Sequence, residues 1–271
     1  MNRTAKKVIM IVAAAVFVFS SAMFFKEYRQ AKSAAEFSAS ISEMAVTFTA
    51  KDQNHETTEK DIPDKSTTKN PEVFSDDKEK KAEESPIRVD FDLLYEQNRD
   101  VVAWLYCPDT PINYPVVQAS DNDYYLHRLL DGRYNTAGSL FADCRNSADF
   151  SDWNTVIYGH NMKNNSMFGT LTDYKKQSYF EDHPVMYLLT PKQSYKVNVL
   201  AGFVTQANSE IYHTFNPNQE EKEALIESWL NMSDFDSKAD IATEYNLVSF
   251  STCSDGNSNE RYVIVGVLEN L

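Results

Sequence analysis

The chain has 271 residues, with 40 Asp plus Glu against 26 Lys plus Arg and a formal net charge of −14. Residues 88–271 hold 13 basic and 26 acidic side chains, so nearly all of that charge sits on one segment, and nucleic acid is excluded as a partner because its phosphates would be repelled. The same segment has all seven Gly, all three Trp and all three Cys, and its length suits one compact domain with a sizeable core.

At the N-terminus Arg3, Lys6 and Lys7 precede Val8 to Phe25, a run without a charge that ends at Lys26 and Glu27. Residues 1–25 therefore read as a cytoplasmic basic tip and a single-pass transmembrane signal anchor, which leaves the rest of the chain on the extracellular face. The rival is a cleaved secretory signal with small residues at Ser20-Ser21-Ala22, although the apolar run exceeds the ~7–15 residues of a signal core. Either way the folded part is exported. Residues 26–87 read as an extracellular stalk: Lys26 to Ala50 could extend the anchor as a helix, and Lys51 to Ser85 is a solvated mixed-charge segment. A chain starting near Glu83 is expected to fold and react.

In the domain at 88–271, Asp90 is placed to cap a short helix over Phe91 to Asn98, with Leu93 and Leu94 buried. Strand-like runs follow at Val101–Tyr106, Ile112–Gln118, Gly138–Cys144, Asn154–Tyr158, Val185–Thr190, Ser194–Gln206, Asn246–Cys253 and Tyr262–Leu268, with a hairpin at Pro191-Lys192-Gln193. Eight strands suit a closed or nearly closed barrel. One strong helix precedes the cysteine strand, with Asn216 as its cap, Pro217 in its first turn, Glu220 and Glu221 near its positive end and Leu225 with Trp229 on one face.

The chemistry concentrates at the end of the chain. In strand alternation Leu247, Ser249, Ser251 and Cys253 share one face, and Val248, Phe250 and Thr252 the other, so one face serves something other than packing. Arg261 opens the next strand after a polar loop through Asp255, Gly256 and Asn257. A cysteine nucleophile needs a base or cation beside it, and the strand ending Tyr158-Gly159-His160 supplies a histidine at a turn where Gly159 permits close approach. His55 lies in the stalk, while His127, His183 and His213 occupy polar contexts that suit a surface role. Cys107 and Cys144 have apolar strand neighbours and read as core thiols. The odd cysteine count leaves at least one thiol unpaired within the chain, and no Cys/His spacing suits structural zinc. Each feature alone has a bland reading, namely a buried thiol, an exposed histidine or a solvated edge charge; their joint occurrence favours catalysis.

Tyr158-Gly159-His160-Asn161-Met162, Ser251-Thr252-Cys253 and Arg261 together resemble the His, Cys and Arg constellation of the sortases, membrane-anchored transpeptidases of Gram-positive bacteria. Asn113-Tyr114-Pro115-Val116-Val117-Gln118, Asp121-Asn122-Asp123-Tyr124-Tyr125-Leu126 and Gly138 through Asn146 are similar to class B sortases, and the likeness runs from about Asp90 to Leu268. The resemblance implies a mainly β fold with helices: an eight-stranded sortase barrel with an N-terminal helix and a helix inserted before the cysteine strand. It implies that Cys253 attacks the carbonyl of a Thr in a sorting signal, that His160 serves as acid and base, and that Arg261 holds substrate and oxyanion. Asn122 and Leu126 match groove positions of the class, or else act as a cap and a core leucine. Ser251 shares the face of Cys253 and could contact the peptide, and Ile211 and Tyr212 fall in the segment that aligns with the motif-reading loop. Ser254 stands where some members have an acid.

The implied partners are secreted proteins with a C-terminal signal of the Asn-Pro-x-Thr type, a peptidoglycan-precursor or pilin amine, and the membrane through the N-terminal anchor; no cofactor is expected. The chain has no apolar, base-tailed C-terminus of its own, so it reads as the enzyme rather than a client. The alternatives are a cysteine peptidase releasing product to water and a catalytically inactive surface-binding domain.

Overall fold

Apolar runs buried on both sides, such as Val263-Ile264-Val265, imply a sheet with something packed against each face, and the computed structural model has that layering. It describes residues 3–49, 84–213, 216–238, 244–253 and 259–271; His55, most of the stalk, Ser254 and the loop through Asp255, Gly256 and Asn257 lie outside them. The strands are β1 (Val46–Phe48), β2 (Ile87–Val89), β3 (Val101–Tyr106), β4 (Asn113–Val117), β5 (Leu140–Ala142), β6 (Asn154–Tyr158), β7 (Val185–Leu189), β8 (Ser194–Gln206), β9 (Leu247–Cys253) and β10 (Glu260–Asn270). β3 through β10 close into a barrel in the order β10-β8-β7-β3-β4-β5-β6-β9, as the eight strand-like runs require. The β4–β5 and β6–β9 pairs are parallel and the rest antiparallel.

Inward residues including Leu105, Val116, Leu140, Ile157, Val248, Phe250 and Ile264 fill the barrel. On one outer side, Leu200, Leu247, Val263 and Val265 are covered by Ile226 and Trp229 of helix α4 (Gln219–Met232). The expected cap of α4 moves by two residues. Asn218, not Asn216, accepts from Glu221 N at 3.0 Å while Glu221 Oε2 accepts from Asn218 N at 2.8 Å, a reciprocal capping box that satisfies two otherwise orphaned donors. Asn216 is taken instead by Asp152 and the Trp153 amide.

The opposite outer side departs from the expected domain edge at 88. Helix α1 (Arg3–Ala45) is continuous. Its first half exposes Ile9, Val16, Phe17, Phe24 and Phe25 and is long and apolar enough to cross a membrane. Its second half docks on the barrel. Ile41 and Ala45 are buried with Leu94 of α2 (Phe91–Gln97), Trp104, Val117 and Phe141, Ser42 Oγ accepts from Asn113 Nδ2 at 2.8 Å, and β1 then pairs with β2. The expected helical extension of the anchor runs to Ala45, but residues 30–49 pack on the domain instead of standing off it as a stalk. Short helix α2 itself begins as expected, with Asp90 accepting from Leu93 N, though only Leu94 is fully buried.

Replacing Ile41 with Ala should destabilise the domain by about 2–4 kcal/mol, the range for emptying a buried aliphatic site. Denaturant unfolding of the full chain measures this. An unchanged midpoint would restore the stalk reading for this segment.

Candidate active site

Parallel pairing of β6 with β9 runs from Asn154↔Leu247 to Tyr158↔Ser251, and Gly159 N adds a bond to Ser251 O at 3.1 Å. Two residues beyond that last pair come His160 on one strand and Cys253 on the other, so both leave the barrel at the same end. β10 returns antiparallel with Arg261 directly opposite Cys253. Strand register therefore brings His160 to the same end as Cys253 and Arg261, which follow it by some 90 to 100 residues. The polar face of β9 is a buried seam: Ser249 Oγ donates to Asn154 Oδ1 at 2.8 Å, and Ser251 Oγ lies 2.8 Å from Tyr212 Oη. Gly159 is required because a Cβ there would collide with the Leu140 and Phe168 side chains.

A cavity of about 260 Å³ opens at this end, lined by Asn122, Leu126, Arg145, Tyr158, His160, Tyr212, His213, Ser251 and Arg261 among others. His160 Nε2 is 2.8 Å from Leu126 O. A carbonyl only accepts, so Nε2 carries a hydrogen and Nδ1 is the nitrogen that gains or loses a proton. Burial lowers the His160 pKa below its ordinary value, the Leu126 carbonyl opposes that shift, and nearby His127 adds to it. The two imidazoles stack with centroids 5.7 Å apart. His127 and His213 are exposed, as expected, yet His127 stacks on His160 and His213 lines the cavity.

Across the cavity stands a network that sequence inspection did not assign a role. The fully buried Asp143 carboxylate receives Arg145 Nε at 2.9 Å and Arg145 Nη2 at 2.6 Å, and Tyr158 Oη donates to it at 2.9 Å. Burial acts to raise the Asp143 pKa, but the bonds from Arg145, Tyr158 and Asn122 prevail and hold it below the usual value. Burial and then the Asp143 charge push the Tyr158 phenol far up, so it remains a donor. Arg145 extends to Tyr212 O at 2.9 Å and to His213 Nδ1 at 3.2 Å, fixing the segment after β8 against the turn after β5. The signal in sequence was Asp143-Cys144-Arg145, where an acid and a base two apart follow an apolar strand.

Of the residues expected to contact substrate, Asn122, Leu126, Ser251 and Tyr212 line the cavity. Ile211 does not; it is wholly buried with Trp153, Val156 and Trp229. Asn122 Oδ1 already accepts from Cys144 N at 2.8 Å. Cys107 is a core thiol whose pKa burial pushes up to about 11, whereas Cys144 is only part-buried, because β5 ends at Ala142 and the chain turns to aim Asp143 inward.

A family model described as the sortase domain matches residues 105–269. The chain belongs to the sortase family. Sortase B of Listeria monocytogenes is 35% identical over 177 residues, covering 65% of this chain and 72% of that relative. Sortase B of Staphylococcus aureus is 29% identical over 181 residues, covering 66% and 74%. The solved S. aureus sortase B superposes with a TM-score of 0.64 at 28% identity over 67% of this chain and 87% of the other; related solved forms are an S. aureus sortase B–substrate complex and a sortase B complexed with triglycine. The class B likeness seen in the motifs thus holds, and a class B sortase is a cysteine transpeptidase.

In this sortase the His160 ring should titrate below pH 6.5, its ordinary value, as read by NMR of ¹³C-labelled histidine in the full chain. The sign follows from burial: the unfolded chain takes the proton more readily, so folded-state stability falls as pH drops from about 6.5 through the lower native pKa. A titration above pH 7 would contradict the burial argument.

Proposed function

We propose that this sortase is a membrane-anchored transpeptidase that cuts a C-terminal sorting signal after its Thr and joins the new carboxyl end to an amine of the cell wall or of a pilin. The observation that supports this most is the register that sets Arg261 opposite Cys253 and brings His160 to the same barrel end. His160, kept neutral by burial, takes the thiol proton of Cys253. The thiolate attacks the Thr carbonyl carbon, and Arg261 steadies the negative oxygen of the tetrahedral intermediate. The C–N bond breaks as the imidazolium of His160 protonates the departing amine. An incoming amine then gives its proton to His160 and attacks the thioester, and the C–S bond breaks. The site residues hold and move the protons; no cofactor enters the scheme.

In this reading basic residues before Val8 hold the N-terminus inside, and the barrel works on the extracellular face. The substrate and triglycine complexes of sortase B support a peptide donor and an amine acceptor of this general kind. For the motif, an Asn-Pro-x-Thr peptide suits a cavity whose walls include Asn122, Arg145 and His213. An apolar first residue seated against these polar side chains would displace their water without replacing its hydrogen bonds. Leu126 and Tyr212 then offer the apolar surface for the Pro.

Cys253→Ala should abolish both cleavage and transfer with the fold intact by circular dichroism. Arg261→Ala should lower turnover by roughly 10²-fold, the scale of losing an oxyanion donor, and Arg261→Lys should recover little because a point charge lacks the planar fork. Residual cleavage by the Cys253 variant would sink the mechanism, and release only to water with added amine present would favour the peptidase alternative.

Competition of an Asn-Pro-x-Thr peptide against a Leu-Pro-x-Thr-Gly peptide at equal concentration should give the higher kcat/KM to the first. The reverse order would overturn the specificity and leave the mechanism standing.

A further inference from the structure

We propose that the docked half of α1 positions His160, acting through Asn135. The inference rests on the catalytic reading of His160 given above. Asn135 is 4% exposed and lies in the segment between His127 and Ser139, whose regular structure is a single bridge between Arg128 and Tyr134. Such a segment depends on specific hydrogen bonds for its shape, and Asn135 makes them on both sides.

Toward the helix, Asn135 Nδ2 donates to Gln30 O at 3.0 Å, and the neighbouring Thr136 Oγ1 donates to Gln30 Oε1 at 3.1 Å. Toward the site, Asn135 N donates to His127 O at 2.9 Å, Asn135 Oδ1 accepts from Ala137 N at 2.9 Å, and Asn135 O accepts from Gly138 N at 3.1 Å. Gly138 then sits at φ +60°, so close beneath the Leu126 carbonyl that a Cβ would lie 2.5 Å from its oxygen. That carbonyl is the acceptor that fixes the His160 ring.

A second contact reaches the other flank of His160. Ala34 of α1 is buried with Leu129 and Ala137, and Met162, two residues past His160, packs on the same cluster. The helix therefore braces both segments that frame the imidazole. A displacement of the Leu126 carbonyl by a fraction of an ångström would move the proton-transferring nitrogen, and misplacement of about 1 Å can lower turnover 10²-fold. This is a positioning role: neither Asn135 nor Gln30 touches the cavity.

The test uses the full chain in lipid nanodiscs with a fluorogenic Asn-Pro-x-Thr peptide and triglycine as acceptor. Asn135→Asp keeps the acceptor for Ala137 N but turns the donor facing Gln30 O into a second acceptor. We expect kcat to fall roughly 10-fold with KM within twofold, an unfolding midpoint close to that of the parent, and a shifted His160 Nε2–H resonance. Thr136→Val, which loses only the bond to Gln30 Oε1, should show the same pattern at smaller amplitude and decides the matter if the Asp variant does not fold. Unchanged kcat and an unchanged His160 resonance, or kcat, KM and midpoint all falling together, would overturn the inference. His160→Ala is the separate control: if it retains full activity the catalytic reading fails, whereas an inactive His160→Ala beside a fully active Asn135→Asp removes only the positioning role.

Discussion

The parallel ladder between β6 and β9 is the constraint on which the site depends. Parallel neighbours cannot be joined by a tight turn and need a long crossover, and here the crossover from Gly159 to Asn246 carries β7, β8 and α4. The same ladder that forces this detour aligns the ends of the two strands, so the histidine and the cysteine emerge side by side although they are far apart in sequence. β10 needs only a short return to set Arg261 opposite Cys253. The three candidate residues are thus placed by backbone register.

The buried Asp143 is the second commitment. A carboxylate with no exposed surface is unfavourable to fold unless its lone pairs are met, and two prongs of Arg145 with the Tyr158 hydroxyl meet them. The gain lies in geometry more than in stability. The half-exposed guanidinium goes on to hold the Tyr212 carbonyl, and the Tyr212 hydroxyl meets Ser251. The turn after β5, the segment after β8 and the cysteine strand are thereby locked into one wall.

All eight barrel strands were legible, because apolar strands bounded by turn residues leave few alternatives. The candidate trio of Cys253, His160 and Arg261 was singled out by the joint occurrence of a thiol, a histidine and an arginine at strand ends, and the family motifs sharpened it; nothing in periodicity alone links His160 to Cys253. What escaped depended on tertiary partners. Pro217 pointed to Asn216 as the cap of α4, but Asp152 and the Trp153 amide take the Asn216 side chain and Glu221 pairs with Asn218 instead. Ile211 and Tyr212 are adjacent, so one faces the core and the other the cavity, and sequence could not say which. Cys144 looked apolar by its neighbours, yet it sits where the strand breaks. The docked half of α1 was missed because its composition is polar and small on average; Ala34, Phe37, Ile41 and Ala45 nevertheless recur at helical spacing and form the face that packs.

The continuity of α1 sets how far this enzyme can reach. A helix rises 1.5 Å per residue, so Gln30 lies only about 8 Å beyond Phe25, the last apolar residue of the candidate span. On the anchored reading proposed above, the barrel would ride on the headgroups as the cap of a stiff post rather than swing on a tether. Its encounters would then be confined to a thin layer at the membrane surface, and a donor and an acceptor would both have to come to that layer.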